Sequence, residues 1–306
     1  MAMAGFSASG ASGAPMRVAV TGAGGQTGGH VFRKMLARPE LFSPVGITRT
    51  ASSKDALLAD TGAAPEQVVV VDVAAAAGAS GSSALVAALA GCAALVIGTS
   101  AKVKPTGGNN PETGRPNLGF PDGQPYFVDW LGQKIQIDAA KAARVRHVVV
   151  CSSMGGTDPN HMLNNFGRDP GEKTGGGILL WKRKAEKYLM DSGLVHTIVH
   201  PGGLLNEPGG RRSLVVGVDD AMLPEQNRSI PREDVAETLL QSLLHEDYEN
   251  RSFDLVSQAD SGGDVATDFA ALLAPLGGAN CDYGLGEIPD DAAGRAEEAA
   301  APKCAL

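Results

Sequence analysis

A run of glycines near the start of the chain has the spacing of a turn that binds a dinucleotide. The segment Thr21–Gly28 (TGAGGQTG) follows the apolar run Arg17–Val20 and leads into a helical pattern over Gln26–Leu36. In such a turn the first glycine permits a tight bend, the second lets a pyrophosphate approach, and the third lets the helix pack on the strand. The unpaired N–H groups of the helix N-terminus attract the phosphates. We therefore expect the dinucleotide to be bound by Thr21, Gly22, Gly25, Gln26, Thr27 and Gly28.

A basic residue stands where such sites contact the adenosine ribose. Sites that prefer NAD have Asp or Glu about 20 residues after the glycine turn, where it bonds to the ribose 2′-OH. This chain has Arg49 at that point, followed by Thr50, Ser53 and Lys54. A cation with neighbouring hydroxyl groups suits a 2′-phosphate, so we expect the cofactor to be NADP(H). The alternative is that Arg49 is a solvated loop residue.

Other candidate contacts follow later apolar runs. Asp72 comes directly after Val68–Val71, where it either lies at the adenine edge or serves as a turn or helix-capping residue. Ligands of parallel α/β sheets bind at the carboxyl ends of the strands. On that ground we expect further cofactor contacts from Val73, Thr99, Ser152, Pro201 and Gly202.

The elements that must position these residues alternate between strands and helices. Six short runs rich in β-branched residues predict strands: Arg17–Val20, Val45–Thr48, Val68–Val71, Ala94–Gly98, His147–Cys151 and Thr197–His200. Such runs, separated by helical patterns, predict an α/β fold with a doubly wound parallel sheet covered on both faces.

Beyond residue 201 the pattern is looser. It predicts a strand over Leu214–Val218, a helix over Arg232–Leu244, a strand near Phe253–Val256 and a helix near Val265–Leu273. We interpret these elements as a small C-terminal α/β lobe over the strand ends. The lobe (mainly 201–274) would shape the substrate side of the site.

The two ends of the chain differ in composition from its middle. Residues 1–15 carry no charge and no apolar period, so we expect them to be disordered, and their lack of acidic residues leaves a targeting role open. Residues 275–306 carry six acidic and two basic residues, which predicts a flexible acidic tail. We therefore expect one folded domain over 16–274. We expect the protein to be located in the cytoplasm or the chloroplast stroma.

Charge and residue spacing argue against several other classes of protein. The 26 basic and 34 acidic residues give a net charge of −8, which is unfavourable for binding nucleic acid or an anionic membrane. No apolar run is long enough to span a bilayer. The four cysteines form no CxxC pair and the six histidines form no HExxH motif, so we expect no metal. The expected partner is a small-molecule substrate, with the protein a monomer or homodimer.

An ordered set of motifs resembles a known family. The motifs are the glycine turn, the helix Asp129–Ala143, Val148–Ser153, Lys182-x-x-x-Glu186, His200-Pro201-Gly202 and Ile230–Glu237. Together they resemble the atypical, NmrA-like short-chain dehydrogenase/reductases, in particular a plant and algal group of uncharacterised NAD(P)-binding Rossmann proteins. The likeness covers about residues 16–274 and implies a Rossmann fold.

The resemblance also implies where catalysis takes place. In the family a tyrosine and a lysine four residues apart on one helix, with a serine after a strand, carry out carbonyl reduction. Lys182 matches the lysine and Ser153 the serine, but Ile178 stands at the tyrosine position and cannot transfer a proton. The alternatives are that Lys182 is one cation of a basic helix and Ser153 a plain turn residue.

Three residues are weaker candidates to replace the tyrosine, namely Tyr126, His161 and His200. We interpret the long insertion Lys102–Phe127 as a lid or substrate wall. The resemblance implies an NADPH-dependent reductase of a quinone-, flavin- or carbonyl-type acceptor. The missing tyrosine leaves a non-catalytic NADP(H) sensor or assembly factor as the alternative.

Overall fold

The computed structural model describes residues 13–74, 79–109, 114–168, 174–259 and 262–300. Its main sheet has eight strands in the spatial order β10-β12-β8-β7-β4-β1-β2-β3. All neighbouring strands are parallel except β10 and β12. These strands are, in chain order, β1 (Met16–Thr21), β2 (Phe42–Thr48), β3 (Val68–Val70), β4 (Ala94–Ile97), β7 (His147–Cys151), β8 (Val195–Pro201), β10 (Leu214–Gly217) and β12 (Arg251–Ser257).

Helices cover both faces of this sheet. The helices of the described residues are α1 (Gln26–Leu36), α2 (Ala51–Thr61), α3 (Ala79–Ala88), α4 (Gly132–Ala142), α5 (Ile178–Asp191), α6 (Arg232–Gln241) and α7 (Asp291–Ala300). Successive side chains of a strand point to opposite faces, so Val18 and Ala19 of β1 belong to different cores. The core around Val18 includes apolar residues of α1 and α6, and the core around Ala19 includes those of α3, α4 and α5. The predicted doubly wound α/β fold is thereby confirmed.

The long insertion contains a hairpin rather than an irregular loop. Its strands are β5 (Lys104–Asn109) and β6 (Pro116–Gly119), which pair antiparallel. A second small sheet joins β9 (Gly203–Leu205) to β11 (Ser229–Pro231) in parallel. Before α4, one segment of the predicted helix is a π-helix, Tyr126–Leu131. None of the helices in the described ranges has both the length and the apolar character that crossing a membrane needs.

One predicted helix does not form. The segment Val265–Leu273 consists of coil and turns, and only a short 3₁₀ turn, Ala274–Leu276, follows. The Asp268 carboxylate accepts hydrogen bonds from the N–H groups of Ala270 and Ala271, and the Tyr248 hydroxyl donates to the Phe269 carbonyl. Because these bonds replace those of a helix, local side-chain competition overrides the apolar periodicity.

The predicted flexible acidic tail is corrected by the structure. Described residues of the segment pack on the sheet and helices, and they end in helix α7. Tyr126 donates a 2.7 Å hydrogen bond to Glu298, and the Glu297 carboxylate accepts from the Gly175 N–H. The acidic residues therefore have specific partners, which local charge counting does not detect. Residues 1–12 and 301–306, within the predicted disordered start and the tail, lie outside the described residues.

Candidate functional site

A cleft of about 620 Å³ lies at the carboxyl ends of the parallel strands. The backbone changes direction there after β1, β2, β4, β7 and β8, so that residues far apart in the chain share one wall. Nearly all of the predicted cofactor and catalytic residues line this cleft: Thr21, Gly22, Gly25, Gln26, Thr27, Arg49, Asp72, Val73, Thr99, Ser152, Ser153, Lys182, Pro201 and Gly202. Gly28 is buried beneath the turn instead.

The glycine turn brings backbone segments so close together that only glycine fits at two of its positions. Gly22 has a φ of +69°, and a Cβ added there would lie 2.6 Å from the Gly98 carbonyl oxygen. A Cβ on Gly28 would lie 2.4 Å from the Gly22 carbonyl oxygen, where α1 crosses β1. Gly25 precedes α1 without a side-chain cap, and Gln26 and Thr27 of its first turn line the cleft. This cradle fits the pyrophosphate of a dinucleotide, which approaches the backbone and takes the helix N–H groups.

Arg49 lies at the rim of the cleft. Its side chain is 54% exposed, with Nε 3.4 Å from Asp72 Oδ2 and an Nη1–H donated to the Asp122 carbonyl at 2.9 Å. Thr50 and Ser53 also line the cleft, so a cation and two hydroxyl groups come together as expected. Lys54 does not line it, because its ammonium donates to the Pro65 carbonyl.

Asp72 has the turn role that the sequence left open, and it also lines the cleft. Its Oδ1 accepts a 3.0 Å hydrogen bond from the Ala74 N–H, which is the predicted turn role. Its Oδ2 lies next to Arg49 and holds the guanidinium along the cleft wall. The carboxylate is therefore placed to orient Arg49, and it also lines the cleft.

Lys182 is a buried cation with a partner that the sequence did not reveal. Its Nζ is 2.8 Å from Oδ1 of Asp129, and both side chains are almost fully buried. Burial alone lowers the pKa of Lys182, but the Asp129 carboxylate outweighs that effect and raises the pKa. The other Asp129 oxygen accepts from the Ala101 N–H at 3.0 Å, which ties the pair to the segment after β4. Lys182 is thus a fixed positive charge in the cleft wall.

Ile178 lies one helical turn before Lys182 and lines the same cleft. No tyrosine or histidine lines the described part of the cleft. Tyr126 points its hydroxyl at Glu298, and burial raises its pKa well above the ordinary value. His161 uses Nδ1 to accept from the Leu163 N–H. The structure therefore does not bring these two candidate tyrosine replacements into the cleft.

His200 lies behind the cleft wall in a buried cluster. Its Nε2 is 3.1 Å from Oε2 of Glu186, which also accepts from the Tyr283 hydroxyl at 2.9 Å. The other Glu186 oxygen accepts a short hydrogen bond from Ser152, a cleft residue. Burial raises the pKa of Glu186, but His200 and these hydrogen bonds outweigh it and lower the pKa to about 2. Sequence reasoning included Glu186 in a motif without a role, and it missed Tyr283.

Comparisons with known proteins identify what the chain is similar to. A family model described as NAD(P)H-binding matches residues 22–246. An uncharacterised chloroplastic protein of Arabidopsis thaliana is 42% identical over 261 residues, covering 85% of this chain and 75% of that protein. Sanguinarine reductase of Eschscholzia californica is 39% identical over 280 residues, covering 85% and 96%.

A solved structure gives the same result for the fold. The putative NAD-dependent epimerase/dehydratase of Bacillus halodurans superposes with a TM-score of 0.59 at 23% identity. The alignment covers 85% of this chain and all of that one. At this identity the likeness shows the fold alone.

Proposed function

The chain belongs to the NAD(P)H-binding family, and from this premise we propose that it is an NADPH-dependent reductase of a small organic acceptor. The observation that carries the proposal is the continuity of the cleft. One cleft contains the glycine turn, Arg49 and a set of apolar residues, which are Val103, Val128, Leu163, Ile178, Leu179 and Leu204. The glycine turn and Arg49 suit a phosphorylated adenosine, and the apolar residues suit an organic acceptor next to the cofactor.

The chain's own residues divide the work of binding and orientation. The glycine cradle and the first turn of α1 hold the pyrophosphate, and Arg49 with Thr50 and Ser53 holds the 2′-phosphate. Lys182, fixed by Asp129, binds the ribose on the nicotinamide side, and Ser153 orients the acceptor. When bound, NADPH supplies the hydride.

The apolar residues of the cleft also favour a class of acceptor. A positioned acid contributes roughly 10²–10⁴-fold to a reduction that needs a proton in its slow step. Ile178 cannot act as that acid, so acceptors that need little protonation during hydride transfer, such as quinones and flavins, are favoured over simple aldehydes and ketones. The similarity to a plant protein named a reductase supports reduction of an organic molecule.

The test measures NADPH oxidation with a panel of quinones, flavins, aldehydes and ketones. We expect turnover with quinones or flavins and weak turnover with simple carbonyls. The variant Ile178→Tyr should raise carbonyl reduction, because it restores a proton donor four residues before Lys182. Ile178→Phe is the matched control, since it adds the same ring without the hydroxyl and should give no gain.

The second candidate is a non-catalytic NADP(H)-binding sensor or assembly factor. The observation that favours it is the absence of a tyrosine or histidine along the described cleft. It would replace the first proposal if NADPH binds tightly, no acceptor of the panel oxidises it, and Ile178→Tyr is equally inactive. The chloroplastic relative supports a location in the chloroplast for either function.

A further inference from the structure

Three side chains with metal-binding atoms meet behind the cleft wall. His200 and Asp254 are paired in register on the neighbouring parallel strands β8 and β12, so their side chains point to the same face. Cys281, from the C-terminal segment, lies over them. The Nδ1 of His200 is 3.5 Å from Cys281 Sγ and 3.5 Å from Asp254 Oδ1, and the last two atoms are 3.8 Å apart.

We propose that His200, Asp254 and Cys281 form a zinc site that joins the C-terminal segment to the sheet. Tetrahedral Zn²⁺ binds nitrogen, oxygen and sulfur at about 2.0–2.3 Å, which separates its ligand atoms by roughly 3.3–3.8 Å. The three observed separations match that range. All three residues are buried, with exposures of 5%, 1% and 8%, so the ion would be shielded from competing solvent.

A fourth coordination position is available next to the three ligands. They line a cavity of about 10 Å³ together with other polar residues, which are Ser153, Thr157, Arg183, Glu186, Asp219 and Asp220. A cavity of this size accommodates about one water molecule. Three protein ligands with one water is a common arrangement of zinc in proteins. We therefore assign the fourth position to water.

The surrounding hydrogen bonds orient the ligand atoms toward a common point. The Glu186 carboxylate accepts a hydrogen bond from Nε2–H of His200. This bond favours the neutral tautomer that carries its proton on Nε2, so that the Nδ1 lone pair can bind the ion. Asp254 uses Oδ2 to accept from the Asp220 N–H at 2.7 Å, which leaves Oδ1 for the ion. The Cys281 N–H donates to the Ser252 hydroxyl, which fixes the backbone position from which the Cys281 side chain extends.

The charges balance once the metal binds. Zinc binding releases two protons to solvent, the thiol proton of Cys281 and the Nδ1 proton that His200 carries while it lies between Glu186 and Asp254. The thiolate and the Asp254 carboxylate then neutralise the dication. A nitrogen, a sulfur and a single carboxylate oxygen favour zinc over Mg²⁺ or Ca²⁺, which prefer oxygen ligands. The competing arrangement is a protonated His200 held between Glu186 and Asp254 by hydrogen bonds alone.

Metal binding to the full-length protein tests the proposal. After treatment with a chelator, we expect the protein to take up one Zn²⁺ per chain in equilibrium dialysis. With Co²⁺ as a probe, the wild type should show the absorption of tetrahedral cobalt and a thiolate-to-metal charge-transfer band. Cys281→Ser should lose that band and weaken zinc binding at least tenfold, whereas Cys92→Ala, which changes a cysteine of another core, should keep both.

Two further variants keep the test decisive if Cys281→Ser folds poorly. Asp254→Asn keeps the shape of a ligand but lowers its charge, and it should weaken zinc binding. Glu186→Gln acts through His200 and should weaken zinc binding by roughly 10- to 100-fold. Zinc should also raise the unfolding midpoint of the wild type but not of Cys281→Ser. The proposal fails if the wild type takes up neither metal, or if these variants bind zinc as tightly as the wild type does.

Discussion

The guanidinium of Arg49 decides the predicted choice between the two nicotinamide cofactors. A charge-assisted contact to phosphate contributes about 1.5–3 kcal/mol, so NADPH should bind on the order of 10- to 150-fold more tightly than NADH. Arg49→Ala should remove that difference and leave NADH affinity nearly unchanged. Calorimetric titration of both cofactors measures the difference between the NADPH and NADH affinities. Added salt should reduce this difference, because the Arg49 side chain is 54% exposed and salt screens its charge.

Lys54→Ala provides the matched control for Arg49. Its ammonium is bonded to the Pro65 carbonyl away from the cleft, so its loss should leave both affinities unchanged. Equal binding of NADPH and NADH by the wild type would contradict the assignment of NADP(H). Loss of both cofactors in Arg49→Ala would instead give Arg49 a structural role through Asp72.

At the scale of the element, the glycine turn depends on close approach of the backbone. Gly28→Ala should abolish cofactor binding and lower stability, because its Cβ would lie 2.4 Å from a carbonyl oxygen of Gly22 that cannot move without opening the turn. Gly24→Ala is the control, since its Cβ would make an ordinary 3.4 Å contact with Ser53. Thermal unfolding and NADPH titration of both variants measure the difference. Normal binding by Gly28→Ala would refute the assigned packing.

The pairing of β7 with β8 contains a histidine whose protonation opposes folding. Burial lowers the pKa of His147 to about 4, and its Nε2 is 2.9 Å from the Thr197 hydroxyl. The Thr197 hydroxyl in turn donates to the Tyr248 carbonyl, so the neutral ring donates to Thr197. The unfolded chain, with a pKa near 6.5, takes up a proton before the folded chain does. Folding stability should therefore fall as the pH drops from about 6.5 to about 4.

Urea unfolding at pH 7.5 and 4.5 measures this effect. His147 alone should contribute roughly 2–3 kcal/mol of the stability lost between these pH values. His147→Gln should remove that part of the dependence, because its amide does not titrate. His245→Gln, a change near the surface, should keep the pH dependence of the wild type. An unchanged dependence in His147→Gln would contradict the prediction.

At the scale of the whole molecule, described residues of the segment 275–300 pack against the rest of the chain. Removing residues 275–306 should lower the unfolding midpoint by several degrees, because it leaves Glu186 and Tyr126 without the partners Tyr283 and Glu298. This expectation replaces the sequence-based one of a flexible acidic tail. Removing residues 1–15 is the control and should leave the midpoint unchanged. Equal midpoints for the two truncations would restore the tail interpretation.

The local pattern of the sequence was enough for the eight strands of the main sheet, for several of the helices and for the glycine turn. These features depend on backbone geometry over a few residues, as the β-branched runs and the spacing of Gly22, Gly25 and Gly28 show. They can therefore be predicted without knowing which distant residues pack against them. The same holds for Arg49 and Ile178, because each lies a fixed distance along the chain from a motif. The helix predicted over Val265–Leu273 does not form, because the Asp268 carboxylate accepts a backbone hydrogen bond and makes a turn there. The spacing of apolar residues gives no sign of that turn.

Only the tertiary structure decided which residues became partners. Lys182 pairs with Asp129 across 53 positions, and Cys281 approaches His200 across 81, so no spacing motif could indicate either contact. Such contacts depend on strand order and on where the crossovers return, and these are properties of the packed sheet. The sequence by itself determined the α/β fold and the position of the cofactor turn. The packing of α5, β8, β12 and the C-terminal segment decided which charges are buried together, because burial makes unpaired charges costly and selects the arrangement that pairs them.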